Sequence, residues 1–352
     1  MKGGERLNIY DISKRAGVSI ATVSRVLNNS LHVSEKTRQH VLSVIQEAGY
    51  VPNAFARGLG LNSMKTIGLL CPDASDAYLA HALALLEHAF RIHQYHCMLI
   101  CTGRDRSDLD AGMMSLASRH VDGIVLMGST FVGAHVEENK MILETAKDIP
   151  TVILNGSFPG NTVYSVMCND TQATAMAVDF LVAEGRRKPL YVYHSLNESG
   201  IKKRSGYREG VQKHALSVGP EHEIFTDGMS KDVTSVARLI TEKWNSGLRF
   251  DSVITSEDIL AVGALKSLHA LGLRIPEDIS IIGYNNSDLC LCTDPELSSI
   301  DNRLPVICER IVETMVHVLE GTEMPIQTVF NAQLVEREST LHSPQKQKGK
   351  ET

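Results

Sequence analysis

The residues with the clearest chemical potential lie near the start of the chain. Four of them are spaced at i, i+3, i+4 and i+7, which places them on one face of a predicted helix: Ala21, Ser24, Arg25 and Asn28. This face offers a small residue, a hydroxyl, a guanidinium and an amide, which can contact base edges in the major groove of DNA. The pattern predicts a DNA-recognition helix, and a helical hairpin with a solvated polar face is the alternative.

Two short helices and a turn are predicted to position this face. Gly17 suits the turn because glycine adopts positive φ without a Cβ clash. The Ser19 hydroxyl is predicted to cap the second helix, and Ser34 is predicted to cap a third helix over residues 35–48. Apolar residues recur at helical spacing and are predicted to face inward: Ile9, Ile12, Ala16, Val23, Val26, Leu27, Val41, Leu42, Ile45 and Ala48.

Several short motifs in this region resemble the LacI/GalR family (lactose repressor and galactose repressor) of bacterial transcription regulators. They are Tyr10–Ile12, Ala16–Ser19, Thr22–Asn28, Val33–Ser34, Thr37–Arg38 and Gly49–Asn53. The likeness continues more loosely to about Ser339, so it covers nearly the whole chain. It implies a sequence-specific, DNA-binding transcriptional regulator of the repressor type, controlled by a small-molecule effector bound between two lobes.

The resemblance also implies which residues contact DNA. Ile20, Ala21 and Arg25 match positions that meet base edges, and most of the others match positions that hold phosphates. Leu59 matches a hinge-helix leucine that enters the minor groove and opens the central base step, with Arg57 beside it. The complete predicted set is Tyr10, Ser19, Ile20, Ala21, Thr22, Ser24, Arg25, Asn28, His32, Ser34, Asn53, Ala56, Arg57 and Leu59.

The charge distribution favours a DNA-binding head. The whole chain has a formal net charge of −6, which by itself does not indicate a nucleic-acid partner. Residues 1–60 contain eight Lys or Arg against four Asp or Glu, a balance of +4, which leaves −10 on the remaining residues. A basic head on an acidic body is typical of a headpiece that binds phosphates. Chance is the alternative, since a balance of +4 over this length is modest.

The composition is that of an ordinary globular protein, with 43% hydrophobic and 22% charged residues among 352. No apolar run approaches the roughly 18 residues of a membrane helix. The first residues lack the apolar core of a signal peptide, so we expect a cytoplasmic protein, at the nucleoid when bound to DNA. The seven cysteines are scattered without a Cys-x-x-Cys pair, so we expect reduced thiols, no metal site and no cofactor.

From Thr66 onward, short apolar runs alternate with longer helical segments, which is typical of parallel sheets covered by helices on both faces. The predicted strands are 67–71, 97–101, 123–128, 151–154, 163–168, 190–193, 252–255, 280–284 and 330–337. The predicted helices are 80–94, 107–119, 141–147, 173–184, 205–215, 232–246, 259–271 and 305–320. The resemblance implies an all-α helix-turn-helix headpiece followed by two doubly wound, parallel-sheet lobes of periplasmic-binding-protein type, linked by three crossovers.

We expect four regions along the chain. They are a DNA-binding headpiece over 1–50, a hinge or linker over 51–63, an effector-binding and dimerisation domain over 64–341, and a polar tail over 342–352. Within the effector domain, the N lobe is predicted to take about 64–166 and 299–322, and the C lobe about 167–298 and 323–341.

Polar residues follow the carboxyl ends of the predicted strands, where open α/β sheets bind ligands. The predicted effector-binding residues are Asp76, Tyr78, Leu79, Ser129, Lys203, Met229, Glu257 and Asn285. The family pattern has an arginine where this chain has Lys203, and an aspartate where it has Asn285. Lysine and asparagine cannot reproduce a bidentate clamp of guanidinium and carboxylate. We therefore expect a polar metabolite, either a sugar other than an ordinary hexose or another class, or control through another partner.

The tail from Leu341 is polar and lacks a leucine heptad, so we expect a homodimer that binds a palindromic operator in double-stranded DNA. A cytosolic solute-binding protein with the same two-lobed body is one alternative, and the additional head argues against it. An enzyme using His194 and Ser195 is another, although neighbouring residues on an extended segment point to opposite sides. The sequence thus predicts a regulator that is neither an enzyme nor a membrane protein.

Overall fold

The structure is a computed structural model, and it describes residues 7–27, 30, 32–50, 63–226 and 232–341. Within these ranges a three-helix headpiece is followed by two α/β lobes. No helix among the described residues is long and apolar enough to cross a membrane. The same residues contain no cluster of His, Cys, Asp or Glu arranged to hold a metal ion.

The headpiece consists of α1 (Ile9–Ala16), α2 (Ile20–Leu27) and α3 (Glu35–Ala48). Gly17 joins α1 to α2 with a φ of 63°, the left-handed conformation that its position requires. The three helices enclose a small core: Ile12, Ala16, Val23, Val26 and Val41. The prediction that Leu42 faces inward is wrong, since its side chain is 46% exposed. The two short helices that pack on α3 cover only a narrow stripe of it, and Leu42 lies outside that stripe.

Six strands form the sheet of the first lobe: β1 (Thr66–Cys71), β2 (His96–Cys101), β3 (Gly123–Met127), β4 (Thr151–Leu154), β5 (Val163–Cys168) and β11 (Gln327–Phe330). They are ordered β11-β5-β4-β3-β1-β2 and all pair in parallel. Successive residues of one strand face opposite sides, so Leu69 and Leu70 belong to different cores. Helices cover both faces: α4 (Ala77–Ile92), α5 (Arg106–Ser118), α6 (Lys140–Thr145) and α11 (Leu304–Leu319).

The second lobe repeats this plan with six further strands: β6 (Pro189–Tyr193), β7 (Glu223–Phe225), β8 (Ser252–Thr255), β9 (Ser280–Tyr284), β10 (Ser298–Asp301) and β12 (Gln333–Val335). Their order is β12-β10-β9-β8-β6-β7, and only β12 pairs antiparallel, at the sheet edge. Its helices are α7 (Asp170–Ala183), α8 (Glu198–Lys213), α9 (Val233–Asn245) and α10 (Asp258–Ala270). Helices α7 and α8 cover one face, and α9 and α10 cover the other.

Close packing fixes α8, which carries part of the candidate site. A Cβ on Gly206 would lie 2.1 Å from the carbonyl oxygen of Thr171, so no larger residue fits at this contact with α7. The Tyr207 hydroxyl donates to the carbonyl oxygen of Pro189 at 2.8 Å and ties α8 to the start of β6. At its other end, the Asn197 side chain accepts from the N–H of Gly200 at 2.9 Å and caps the helix.

The structure corrects the lobe assignment near the C-terminus. Residues 299–301 were predicted for the N lobe, but β10 pairs with β9 in the second sheet. Residues 327–330 were predicted for the C lobe, but β11 pairs with β5 in the first sheet. The physical reason is that the chain crosses between the lobes after β10 and again after β11, so each crossing changes which sheet the next strand joins.

Two element predictions are also corrected. The predicted strand 330–337 contains only the last residue of β11 and the whole of β12, because the chain changes from the first sheet to the second within this range. Helix α8 begins at Glu198, well before the predicted start at Ser205, because the Asn197 cap overrides the low helix propensity of the Ser199–Gly200 pair. Strands β7 and β10 were not predicted from their short, weakly apolar sequences.

Candidate functional site

The polar face predicted on α2 points away from the headpiece core. Val23 and Val26 are 0% and 2% exposed and fill that core. Ala21 and Arg25 are exposed on the opposite side, and Ser24 is half-buried between the two faces. Within the part of the chain that the structure describes, the Arg25 side chain has no hydrogen-bond or ion-pair partner. Its guanidinium is therefore available to an external acceptor.

Hydroxyl groups define the starts of the second and third helices. The Ser19 hydroxyl oxygen accepts from the N–H of Thr22 at 3.2 Å and lies 2.9 Å from the Thr22 hydroxyl. The Ser34 hydroxyl oxygen accepts from the N–H of Thr37 at 3.3 Å and lies 2.8 Å from the Thr37 hydroxyl. Both predicted caps are present. The remaining N–H groups of a first turn attract anions, so these ends suit contact with a phosphate backbone.

Sequence reasoning missed the cap that orients α1. The Asn8 side chain accepts from the N–H of Tyr10 at 2.9 Å and from that of Asp11 at 3.1 Å. The Asp11 carboxylate accepts in return from the N–H of Asn8 at 2.9 Å, which completes a capping box. The Asn-x-x-Asp spacing was the available signal. This cap fixes the start of the helix on which Tyr10 lies 67% exposed.

The other residues predicted to contact DNA differ in their exposure, and some lie outside the described residues. Several are exposed on the headpiece surface: Tyr10, Ser19, Ile20, His32 and Ser34. Thr22 is half-buried. The rest lie outside the described residues: Asn28, Asn53, Ala56, Arg57 and Leu59.

A second candidate site is the cleft between the two lobes, which encloses about 350 Å³. It is lined by the loops that follow β1, β2, β3 and β4 in the first lobe and β6, β8 and β9 in the second. Parallel strands end at one edge of each sheet, so these loops face each other. The cleft brings together seven predicted effector residues: Asp76, Tyr78, Leu79, Ser129, Lys203, Glu257 and Asn285. The eighth, Met229, lies outside the described residues.

Lys203 is a buried cation of this cleft, with 9% of its surface exposed. Its Nζ donates to the carbonyl oxygen of Ser256 at 3.0 Å and lies 3.7 Å from the centre of the Tyr284 ring. The second contact is a cation–π interaction. The neighbouring Arg204 does not line the cleft, because its Nε binds Glu223 at 2.5 Å. Of these two neighbouring residues, Lys203 therefore lines the cleft and Arg204 does not.

Hydrogen bonds connect the residues of the wall contributed by the first lobe. Asp76 caps α4 by accepting from the N–H groups of Tyr78 at 3.0 Å and Leu79 at 3.1 Å. The Tyr78 hydroxyl oxygen accepts from the Asn155 amide at 2.8 Å. The Asn155 carbonyl oxygen accepts in turn from the N–H of Cys168 at 2.9 Å. Burial holds the pKa of the Tyr78 phenol well above its usual value, so its O–H stays protonated and can donate.

Two asparagines meet where the chain crosses between the lobes. The Asn302 amide donates to the carbonyl oxygen of the Asn285 side chain at 3.1 Å. Asn285 adopts a φ of 103° and is held by its N–H, which donates to the Ile300 carbonyl at 2.9 Å. Asn302 is 2% exposed, and its Oδ1 atom has no hydrogen-bond partner among the described residues. A buried acceptor without a donor costs about 1–3 kcal/mol, so a ligand hydroxyl here would be favoured.

The His194 ring contacts residues from the loop after β8. Its Nε2 lies 3.3 Å from the Glu257 carboxylate, and its Nδ1 lies 3.4 Å from the Ser256 hydroxyl. The Ser195 hydroxyl instead accepts from the N–H of Asn197 at 3.2 Å. His194 and Ser195 are thus engaged with different partners, and in the described part of the chain these two side chains do not make the contact that the enzyme hypothesis needs.

Direct contacts join the two lobes beside the cleft. The N–H and hydroxyl of Ser157 donate to the Glu198 carboxylate at 2.8 Å and 2.7 Å. Lys202, one turn along α8, also binds that carboxylate at 2.5 Å. The N–H of Ser199 donates to the Ser129 hydroxyl at 3.2 Å. The geometry of the cleft therefore depends on the relative position of the two lobes.

Comparison with known proteins identifies the chain. The family of bacterial regulatory proteins named after lacI matches residues 8–53, and a periplasmic binding protein-like domain matches residues 178–340. A helix-turn-helix-type transcriptional regulator of Lachnoclostridium phytofermentans is 43% identical over 334 residues, which cover 95% of this chain and 99% of the relative. The chain belongs to the LacI family.

Solved LacI-family structures share the fold. The lac repressor dimer, bound to operator and an anti-inducer, has a TM-score of 0.85 at 21% identity, covering 96% of this chain and 100% of that one. The transcriptional regulator CelR in complex with cellobiose has a TM-score of 0.69 at 24% identity, covering 95% and 100%. The predicted combination of a helix-turn-helix headpiece with two parallel-sheet lobes is confirmed.

Membership of the LacI family settles the class of function. This LacI-family chain is a DNA-binding transcriptional regulator with a ligand-binding domain of periplasmic-binding-protein type, as predicted. Its relatives are regulators and not enzymes, so the enzyme hypothesis is not supported. The solute-binding alternative is likewise not supported, because the match to transcriptional regulators covers the headpiece as well as the body.

The sequence analysis missed several residues of the cleft in this LacI-family chain, among them Arg104, Asn155 and Asn302. Asn155 directly follows β4, and Asn302 directly follows β10. Arg104 lies three positions beyond the end of β2. All three therefore lie beyond the carboxyl ends of strands, where open α/β sheets bind ligands. The sequence analysis did not consider the residues after β2 and β4. It could not consider those after β10, because that strand was not predicted.

Proposed function

We propose that the chain is a homodimeric repressor that binds a palindromic operator and is controlled by a small polar molecule in the interlobe cleft. The observation that carries the proposal is the exposed polar face of α2, which lies opposite the Val23 and Val26 side chains of the headpiece core. Ile20, Ala21 and Arg25 would meet base edges in the major groove. Arg25 would bind a guanine through two hydrogen bonds, which is worth about 1–3 kcal/mol of discrimination against another base.

The dimer is proposed because one short recognition helix reads only a few base pairs. Two headpieces related by a twofold axis read an inverted repeat with half-sites about one helical turn apart or a multiple of it. The lac repressor structure that this chain resembles is a dimer bound to operator. Leu59 and Arg57 are proposed to contact the minor groove at the centre of the site, as the sequence resemblance implies.

Control by a ligand is proposed from the position of the cleft. The cleft is lined by both lobes, so a molecule bound in it contacts both of them. Such a ligand shifts the lobe arrangement by as much as its affinity differs between arrangements. CelR, which shares the fold, has been solved with cellobiose. The amide, hydroxyl and charged side chains of the cleft support a polar ligand here too.

Selection of operator sites from random duplex oligonucleotides tests the DNA-binding part. The full chain should enrich an inverted repeat, and footprinting should show protection of both half-sites. Arg25→Ala removes one bidentate contact from each half-site, or about 2–6 kcal/mol for the dimer, and should lower the affinity for that site at least about thirtyfold. Arg119→Ala, at the end of α5 in the effector domain, is the matched control and should bind like the wild type. Enrichment of no repeated site would contradict the proposal.

A further inference from the structure

We propose that the ligand of the interlobe cleft is a hydroxylated organic anion, either a sugar acid or a sugar phosphate. This inference rests on the function proposed above, because it names the chemical class that the same cleft binds. Two cations from opposite lobes and one buried amide oxygen support it.

The first cation is Lys203, which is buried without a carboxylate partner. Its ammonium group has three N–H donors. The Ser256 carbonyl accepts from one, and the Tyr284 ring face lies 3.7 Å from Nζ. In the described ranges of the chain, no carboxylate forms an ion pair with this group. A buried charge is costly unless it is paired, so an anion entering the cleft would supply the missing counter-charge.

The second cation is Arg104, on the opposite side of the same cleft. It lies in the loop after β2 and is exposed. The residues that the structure describes provide no hydrogen bond or ion pair to its guanidinium. A guanidinium binds a carboxylate or phosphate through two parallel hydrogen bonds. Each lobe therefore presents one cation that can bind the same anionic ligand.

The acidic residues of the cleft are engaged with protein groups. Asp76 accepts two N–H groups of α4. Asp73 accepts from the N–H and hydroxyl of Ser75 at 2.9 Å and 2.6 Å. Glu257 lies against His194 at 3.3 Å. These contacts engage the carboxylate oxygens with protein groups, whereas no carboxylate among the described residues pairs with Lys203 or Arg104.

The rest of the ligand must carry hydroxyl groups. The Oδ1 atom of Asn302 is buried and has no hydrogen-bond partner among the described residues, so a donor on the ligand would satisfy it. The Tyr78 hydroxyl, kept protonated by burial, interacts with the side chains of Asn155 and Asn302 in the same cleft lining. A cleft of about 350 Å³ is the size that small metabolites occupy. A polyol that bears one carboxylate or phosphate satisfies all these groups together.

Isothermal calorimetry on the full chain with matched probes tests the proposal. The pairs are D-gluconate and D-glucose 6-phosphate against D-glucose, and D-galacturonate against D-galactose. At least one anion should bind at least tenfold more tightly than its neutral counterpart, and its affinity should fall as sodium chloride is added. Comparing gluconate with glucose 6-phosphate distinguishes a sugar acid from a sugar phosphate.

Variants identify the groups responsible. Lys203→Met removes the charge but keeps the apolar stem, and it should abolish the preference for the anion, whereas Lys203→Arg should retain it. Arg104→Gln should weaken the same anion about tenfold, and because Arg104 is exposed this variant does not disturb a core. Lys266→Met, exposed on α10 and outside the cleft lining, is the matched control and should bind like the wild type.

Three results would overturn the inference: equal affinity for an anion and its neutral counterpart, no binding of any anionic probe, or an anion affinity insensitive to both Lys203→Met and Arg104→Gln. The outcome is separable from the proposed function. A neutral sugar that binds and changes operator affinity would reject the anionic class and leave the regulator intact. Failure of operator selection would reject the regulator proposal whatever calorimetry shows.

Discussion

The contact between Ser157 and Glu198 offers a quantitative test of how the lobes are held together. Ser157 follows β4 in the first lobe, and Glu198 is the first residue of α8 in the second. Two hydrogen bonds join them, from the N–H and the hydroxyl of Ser157 to the two carboxylate oxygens. The Glu198 side chain is only 19% exposed, so water competes weakly for it. Hydrogen bonds to charged groups contribute about 1.5–3 kcal/mol each.

The lower value applies because Glu198 is partly hydrated and also binds Lys202. Glu198→Ala removes both interlobe bonds, or about 3 kcal/mol, and should shift the equilibrium toward separated lobes about a hundredfold, since 1.4 kcal/mol is tenfold. Ser157→Ala removes only the hydroxyl bond and should shift it about tenfold. The double variant should behave like Glu198→Ala alone, because the Ser157 hydroxyl has then already lost its acceptor.

Pulsed electron paramagnetic resonance can measure the separation directly. Cys101 and Cys292 are exposed and lie on different lobes, so spin labels on these thiols report the interlobe distance. Glu198→Ala should add a longer-distance population. Glu209→Ala is the matched control, because Glu209 is on the same helix and its one hydrogen bond among the described residues is with Ser205 of that helix, at 3.2 Å. Identical distance distributions for wild type, Glu198→Ala and Glu209→Ala would refute the idea that this contact holds the lobes.

Three further predictions concern stability, thiols and DNA shape. Burial raises the pKa of Glu184 from 4.5 to about 7, so the folded chain retains this proton where the unfolded chain loses it, and stability should fall as pH rises from about 4.5 to about 7. Glu184→Gln should therefore raise the urea midpoint at pH 8 and leave it nearly unchanged at pH 4.5. Iodoacetamide should alkylate the exposed Cys101 and Cys292 well before the buried Cys308. Burial raises the pKa of the Cys308 thiol to about 12, which keeps it in the unreactive thiol form. Peptide mass spectrometry over time would show the order of alkylation. Leu59→Ala should reduce operator bending in a circular-permutation gel, because it removes the side chain proposed to open the central base step, and an unchanged bend angle would contradict that role.

Local patterns in the sequence were sufficient for most of the fold. The positions of β4, β5, β8 and β9 follow from short apolar runs between helical segments, and the structure has the same bounds. The Gly17 turn and the Ser19 and Ser34 caps were also predictable, because each depends on one residue's backbone or hydroxyl chemistry. These features are set within a few residues, so the sequence carries them directly.

Features that depend on distant pairing were not predictable in the same way. Strands β11 and β12 lie within nine residues of each other but belong to different sheets. Nothing in 327–335 specifies that separation, because the partners β5 and β10 are chosen by the tertiary fold. The exposure of Leu42 is a similar case, since it depends on how much of α3 its two short neighbours cover.

The residues of the cleft were likewise only partly predictable from the sequence. Strand ends identified seven of its residues, but not whether Lys203 or Arg204 would enter it. Glu223 on β7 determines which of the two enters, because its carboxylate binds both Arg204 and Arg208. Strand β7 itself has no clear sequence signal. Arg204 is thereby held outside the cleft, and Lys203 lines it.

The position of Asn302 links ligand chemistry to lobe movement. Asn302 lies between β10 of the second lobe and α11 of the first, on a segment that crosses between them. Its amide is held by Asn285, while its Oδ1 is left for a ligand donor. A ligand can shift the lobes only through contacts that differ between their arrangements. An unsatisfied acceptor on a crossing segment is such a contact, because any rotation of the lobes moves it relative to the residues on either wall.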